Sequence, residues 1–298
     1  MRTTLRIALT IGGVMTFSCL LCAQPQAIPL AQYPDIVGIA ASYNADDGFR
    51  TVIVARKNGE VRELFYKTSH GSLATPVGNS VVANIPEVSA VSSFYAQDDG
   101  FRIVLVATDD GSLHEVFYHP TKGKGQSVIG QFGSIRNLAG FYDPATRDRV
   151  AILLTGGPQP QIKELAYAPT TGKREKTLAQ SSTEVTAMCA SYYPGGASAN
   201  RRIVTMTAAG DWVETFLTDA PFLNTLKQSS SQQGLGGTKS VACGKSGFIF
   251  ADKDEVAGHD SWLPRISIQA TAVALDSFDS TNAIVASADG RVLLFVRP

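Results

Sequence analysis

The sequence predicts an all-β fold, a six-bladed β-propeller closed by an N-terminal strand that joins the last blade. Three observations carry this. One block of chain recurs at a fixed offset. Short strand patterns separated by turn residues fill the chain, with no sustained helical periodicity beyond its first residues. The two ends of the repeat array complement each other.

The recurrence is plainest between Ile36–Gly71 and Val88–Gly123, which align without a gap at an offset of 52 and agree at 14 of 36 positions. The shared residues include Tyr43 and Tyr95, the Asp-Asp-Gly-Phe-Arg runs ending at Arg50 and Arg102, the turn glycines Gly59 and Gly111, the acids Glu63 and Glu115, and the pairs Phe65-Tyr66 and Phe117-Tyr118. Further copies start near residues 135 and 185, a worn one near 239, and a last one near 271, which makes six with the first two at 36 and 88. Each copy reads as four short strands parted by Gly, Pro, Asn and Asp turns.

Within a copy, Val52 and Val54 point one way and Ile53 and Ala55 the other, so both sheet faces are apolar, as in blades stacked face to face. First strands carry small residues, such as Ala40-Ala41-Ser42, Ser92-Ser93, Ala139-Gly140 and Ala190-Ser191, which suits strands crowded round a central axis. A β-sandwich explains neither the period nor the ends. At the same offset of 52, Ala31 matches Ala83, Pro34 matches Pro86 and Asp35 answers Glu87, so Ile28–Asp35 reads as the last strand of a repeat. The final copy has strands at 272–275, 283–286 and 292–296 and no fourth. A spare strand at one end and a missing one at the other is the pattern of a ring without exposed sheet edges.

Ahead of the repeats, Arg2 and Arg6 precede an apolar run from Ile7 to Cys22. This is the pattern of a secretory signal peptide over residues 1–23, cleaved near Ala23 or Ala27, and leaves 24–298 as one propeller domain, periplasmic or extracellular. The run is marginal for a membrane span and lacks a basic flank after it, so no membrane insertion is expected. Cys19 follows Thr16-Phe17-Ser18, a poor lipoprotein box. Lys+Arg and Asp+Glu both number 26, and no polybasic run occurs, which argues against nucleic acid or an anionic membrane as partner. Cys189 and Cys243 fall at similar positions on the first strands of adjacent blades four and five; they are either a disulfide or two small buried hydrophobes.

An Arg opens the second strand and a Glu sits on the third in four copies: Arg50 with Glu63, Arg102 with Glu115, Arg149 with Glu164, and Arg201 with Glu214, Arg202 being a one-residue alternative. A turn centred near Lys57 and Asn58 puts Arg50 opposite Phe65, and so places Arg50 and Glu63 diagonally on one face of the hairpin. The same holds for the other copies if the turn at 156–160 absorbs two residues. Thr281 and Leu294 stand at these positions in the sixth copy. Two explanations are open. A guanidinium fork beside a carboxylate can grip adjacent sugar hydroxyls, one as donor and one as acceptor. Alternatively the pair is a structural ion pair, repeated because the repeat was duplicated.

The repeat resembles that of the six-bladed fucose-binding lectins of fungi and bacteria, whose blades run as a small-residue strand, an Arg opening the second strand, a Gly turn, and a Glu about a dozen residues later. The resemblance implies a secreted lectin that binds fucosylated or related glycans in pockets between blades, at up to four sites built on the four Arg/Glu pairs, with aromatic residues stacked on the sugar. Tyr66, Tyr118 and Tyr167 follow the Glu by three residues and face the other side of the strand; the only Trp are Trp212 and Trp262. No enzyme, cofactor or metal is expected. His70, His114, His119 and His259 have no metal-ligand spacing, and no nucleophile elbow occurs. Asp46-Asp47-Gly48 and Asp98-Asp99-Gly100 read as plain turns ahead of calcium loops. A protein-binding scaffold and an enzyme with its site at the central channel are the alternatives. The Ser-, Gln- and Gly-rich stretch at 228–237 reads as a loop between blades.

Overall fold

The computed structural model describes residues 25–44, 47–67, 75–168, 172–180, 185–192, 201–207, 211–217, 225–228, 237–244, 247–252, 254–259, 261, 263–275 and 282–296. The signal-peptide segment 1–23, the loop residues 229–236, Asp46, His70, Trp262 and Thr281 lie outside the described residues.

Strand β1 (Ala27–Gln32) comes first. Blade 1 is β2 (Ile36–Tyr43), β3 (Arg50–Arg56), β4 (Glu60–Lys67) and β5 (Thr75–Asn84). Blade 2 is β6 (Val88–Ala96), β7 (Phe101–Thr108), β8 (Ser112–His119) and β9 (Gly123–Gln131). Blade 3 is β10 (Ile135–Asp143), β11 (Asp148–Thr155), β12 (Gln161–Ala168) and β13 (Gly172–Gln180). Blade 4 is β14 (Val185–Tyr192), β15 (Arg201–Thr207), β16 (Trp212–Leu217) and β17 (Thr225–Gln228). Blade 5 is β18 (Ser240–Cys243), β19 (Phe248–Ala251), β20 (Glu255–His259) and β21 (Ile266–Ser267). Blade 6 begins with β22 (Ala270–Leu275), β23 (Asn282–Ser287) and β24 (Arg291–Val296), and its sheet runs in the order β22, β23, β24, β1.

Each blade is a four-stranded antiparallel sheet, and each inner strand touches the next, β2 to β6 and onward until β22 returns to β2. The protein is a six-bladed β-propeller. Its inner strands surround a central channel of about 260 Å³ lined by small residues, among them Ala40, Ser93, Ala139, Ala190, Ala242 and Ala274. Cys189 on β14 and Cys243 on β18, neighbouring inner strands, are joined by a disulfide, with Cα atoms 5.4 Å apart.

There is no single core. Six apolar clusters fill the six spaces between neighbouring blades. This explains why second strands are apolar on both faces. Val52 and Val54 pack toward blade 6 while Ile53 and Ala55 pack toward blade 2, all four fully buried. Burial of each such side chain contributes about 1.5–3 kcal/mol, and both faces must be filled for the blades to stack. The outermost strand of blade 3 bears Lys173, Arg174, Glu175 and Lys176 and is largely exposed, a charged edge that resists pairing with other chains.

The blade formed from both ends of the described chain follows the same bonding as the others. The Tyr33 N–H donates to the Gly290 carbonyl at 2.8 Å, just as Ile85 donates to Gly59 at 2.8 Å and Phe132 to Gly111 at 2.9 Å. The turn glycine is dictated at this point. Gly111 has φ +84°, and a Cβ there would lie 1.2 Å from the Gly133 carbonyl oxygen.

Candidate functional site

The position of the repeated Arg and Glu is set by one turn. The loop between β3 and β4 has three residues, Lys57-Asn58-Gly59, with Gly59 at φ +87°. Such a loop, a tight turn followed by a left-handed glycine, adds one residue to the two-residue turn expected from sequence. Arg50 therefore pairs with Tyr66, and Glu63 pairs with Ile53. A one-residue slip moves a side chain to the other face of the sheet. Arg50 and Glu63 are on opposite faces of blade 1, which corrects the expected in-blade pair. The same correction applies in blade 2, where Arg102 pairs with Tyr118 and Glu115 with Leu105, and in blade 3, where Arg149 pairs with Tyr167 and Glu164 with Ile152. In blade 4, Glu214 pairs with Val204, on the face of Arg202 and not of Arg201.

Because of this parity, the Glu of one blade meets the Arg of the next. Between blades 1 and 2, the Arg102 Nη1 donates to Glu63 Oε1 at 3.0 Å. Between blades 2 and 3, the Arg149 Nη1 donates to Glu115 Oε1 at 2.5 Å. Between blades 3 and 4, Arg201 Nε lies 3.6 Å from Glu164 Oε2. The two ends of the series differ. Arg50 is turned toward blade 6, where Leu294 stands at the glutamate's place, and its guanidinium lies 4.6 Å from the centre of the Tyr43 ring. Glu214 accepts from Arg202 of its own blade, and Arg202 also donates to the Gly247 carbonyl of blade 5 at 3.2 Å. The one-residue alternative is thus the true in-blade pair, and it occurs in blade 4 alone of the four.

The first gap is a pocket. A cavity of about 550 Å³ between blades 1 and 2 is lined by Phe49 and Phe65 from one blade and Tyr95, Arg102 and Tyr118 from the other, with Asn44 and Asp47 at its polar side. The Arg102 guanidinium carbon lies 4.7 Å from the centre of the Phe65 ring and 4.4 Å from that of Tyr118. Contacts of this length hold a planar cation by its faces. Glu63 takes its Nη1, and the Arg102 side chain lines the pocket. Tyr118 is 40% exposed, whereas Tyr66 and Tyr167, at the corresponding positions, are buried in the blade cores. Phe65 comes from the register: the turn that sends Glu63 toward blade 2 sends Phe65 with it. The recurrence of Phe65 as Phe117, two residues after each Glu, is the sequence signal that marks it.

In the second gap, Arg149 is held twice, by Glu115 and by Asp99, whose Oδ2 accepts from Nη2 at 2.7 Å. In the third, Asp143 Oδ2 accepts from Arg201 Nη2 at 3.2 Å. The Asp-Asp-Gly turns therefore act through side chains as well as shape. Asp47 and Asp99 each cap their own turn, accepting from the Phe49 N–H at 2.8 Å and the Phe101 N–H at 3.1 Å. Asp98 accepts from the Tyr142 hydroxyl at 2.8 Å.

Electrostatics bear on the two explanations left open by sequence. Burial pushes the Glu63 carboxyl up to about 7, and Arg102 draws it back only in part. An acid whose folded value lies above its unfolded one is destabilising once ionised: no cost exists below about pH 4.5, the cost grows as pH rises toward 7, and it is complete above that. The cost is that of burying the Glu63 charge, which Arg102 offsets only in part. Glu63→Gln should therefore raise the unfolding free energy at pH 8 by on the order of 2 kcal/mol and leave it unchanged near pH 4. Urea denaturation at the two pH values checks this. A loss of stability at pH 8 would favour the structural explanation.

No protein-family model matches this sequence, and no curated protein is similar to it. Solved structures are similar in fold. The SapL1 lectin in complex with alpha methyl fucoside superposes with a TM-score of 0.59 at 15% identity, over 90% of this chain and 98% of that one. The fucose-specific lectin from Aleuria aurantia gives 0.62 at 13% identity, over 89% and 93%. AofleA from Arthrobotrys oligospora gives 0.61 at 8% identity, over 91% and 85%. At these identities the likeness establishes the shared six-bladed propeller.

Proposed function

We propose that this chain is a carbohydrate-binding propeller, a lectin without catalytic activity, that takes fucose or a related sugar in the space between blades. The observation that carries this is the pocket between blades 1 and 2. It presents an oriented guanidinium, braced by Glu63, among four aromatic rings. Sugars offer adjacent hydroxyls to such a donor fork and an apolar ring face to the aromatics. The fold neighbours described as fucose-specific, or as bound to a fucoside, support the same ligand class. The signal-peptide pattern of residues 1–23 accords with a protein delivered to where glycans are displayed.

In this scheme Arg102 touches the sugar and Glu63 positions Arg102. A glycan array probed with residues 24–298, with free L-fucose as competitor, tests it. Binding to fucosylated glycans that fucose abolishes is the expected result. Arg102→Ala should weaken it by about 10- to 100-fold, the worth of charged hydrogen bonds, while the far-ultraviolet dichroism stays that of the parent. A silent array from a folded protein, or undiminished binding by Arg102→Ala, would refute it.

A further inference from the structure

Three gaps are built from the same Arg–Glu pair, and in the first a cavity opens beside the arginine. In the other two an aspartate also holds the arginine. In the second gap the guanidinium of Arg149 is taken at both ends, Nη1 by Glu115 at 2.5 Å and Nη2 by Asp99 at 2.7 Å. In the third, Arg201 is taken by Glu164 and by Asp143, an acid with no exposed surface. Both come from the blade that supplies the glutamate: Asp99 lies in the turn between its first and second strands, and Asp143 is the last residue of its first strand. In the first gap the residue that corresponds to Asp99 is Asp47. It caps its turn and lines the pocket, but the ion pair of Arg102 is with Glu63. Exposure follows the same order: 19% for the Arg102 side chain, and 9% for both Arg149 and Arg201.

We infer that Asp99 and Asp143 are built-in occupants of two latent sugar sites: each carboxylate sits on the guanidinium edge that a ligand hydroxyl would use, so of these three gaps the one between blades 1 and 2 takes the sugar. This rests on the proposed lectin function and goes past it, because it says which of the three gaps works and names the residues that silence the other two. A carboxylate on a guanidinium is a stronger acceptor than a hydroxyl and is tethered to the fold, so a free sugar at ordinary concentrations does not displace it. The pattern also accounts for Arg149 lying 5.1 Å from the Phe101 ring, an aromatic neighbour retained in a gap whose arginine is already engaged.

Removing Asp99 should convert the second gap into a copy of the first. Asp99→Ala does this directly. Asp99→Asn keeps an acceptor for the Phe101 N–H and so protects the turn, while removing the charge from Arg149. Two measurements read the result. Titration calorimetry with methyl α-L-fucoside should give one more site per chain for either variant than for the parent. Independently of any sugar, phenylglyoxal labelling followed by peptide mass spectrometry should modify Arg102 and spare Arg149 in the parent, and modify Arg149 at least tenfold faster once Asp99 is replaced. Labelling of Arg149 that is as fast as that of Arg102 in the parent, or unchanged in both variants, would overturn the inference, as would an equal number of sites in parent and variants that bind the fucoside. If no fucoside binds but the labelling changes as expected, the sugar assignment fails and the masking of Arg149 stands.

Discussion

Arg149→Ala is expected to lower the free energy of unfolding by about 3–5 kcal/mol, because removal of one partner from a buried ion pair leaves the other charges without compensation. Arg149 is buried between blades 2 and 3 and holds two carboxylates, Glu115 and Asp99. Burial already pushes Glu115 upward, and Asp99 pushes it the same way; Arg149 does most to draw it down, with Tyr167 beside it. With the guanidinium gone, one acid must take a proton or water must enter between two blades. Arg102→Ala makes the contrast. It leaves Glu63 beside an open pocket, with a single acid to accommodate, and its cost should be far smaller. Urea denaturation of the two variants side by side is the check. Equal losses would mean that the second gap is no more closed than the first, and would count against its role in fastening blades 2 and 3.

The second large effect belongs to the disulfide. Cys189 and Cys243 are 54 residues apart, and a cross-link across a loop of that length restricts the unfolded chain enough to contribute about 4 kcal/mol. The bond fastens blade 5, whose first three strands span only four or five residues and whose fourth has two. Denaturation with and without a strong reductant, or of Cys189→Ala paired with Cys243→Ala, should show the loss. A difference below about 1 kcal/mol would show that apolar packing of Trp212 and Phe248 across the same interface holds the blade unaided.

How far the sequence could be read differs between fold and site. The repeat at an offset of 52 and the matching Pro34 and Pro86 tie the first two blades to the N-terminal strand, and the small first strands reflect a constraint felt by every blade; together they lead to a propeller. The in-blade pairing of Arg50 with Glu63 did not hold, and the reason is physical. Register is usually legible because one face of a strand is apolar and the other polar. Here Val52, Ile53, Val54 and Ala55 are all buried, so alternation carries no signal about which way any side chain points. The register was left to the turn, and a left-handed Gly59 shifts it by one. Asp99 was legible as a turn residue, since it caps one. Its second oxygen reaches across a gap to a residue 50 positions away, and nothing local announces that contact.

The parity that separates Arg50 from Glu63 also sets the unit of inheritance against the unit of function. A repeat is copied as one blade, but a gap with an Arg–Glu pair takes its arginine from one copy and its glutamate from the one before. Four consecutive copies therefore yield three such gaps; at the ends of the run Arg50 faces blade 6, where Leu294 stands at the glutamate's place, and Glu214 pairs with Arg202 of its own blade. Inserting one more copy within the run would add one gap, whereas decay of a single interior copy would spoil two at once. A ring of this design gains its Arg–Glu gaps singly and loses them in neighbouring pairs.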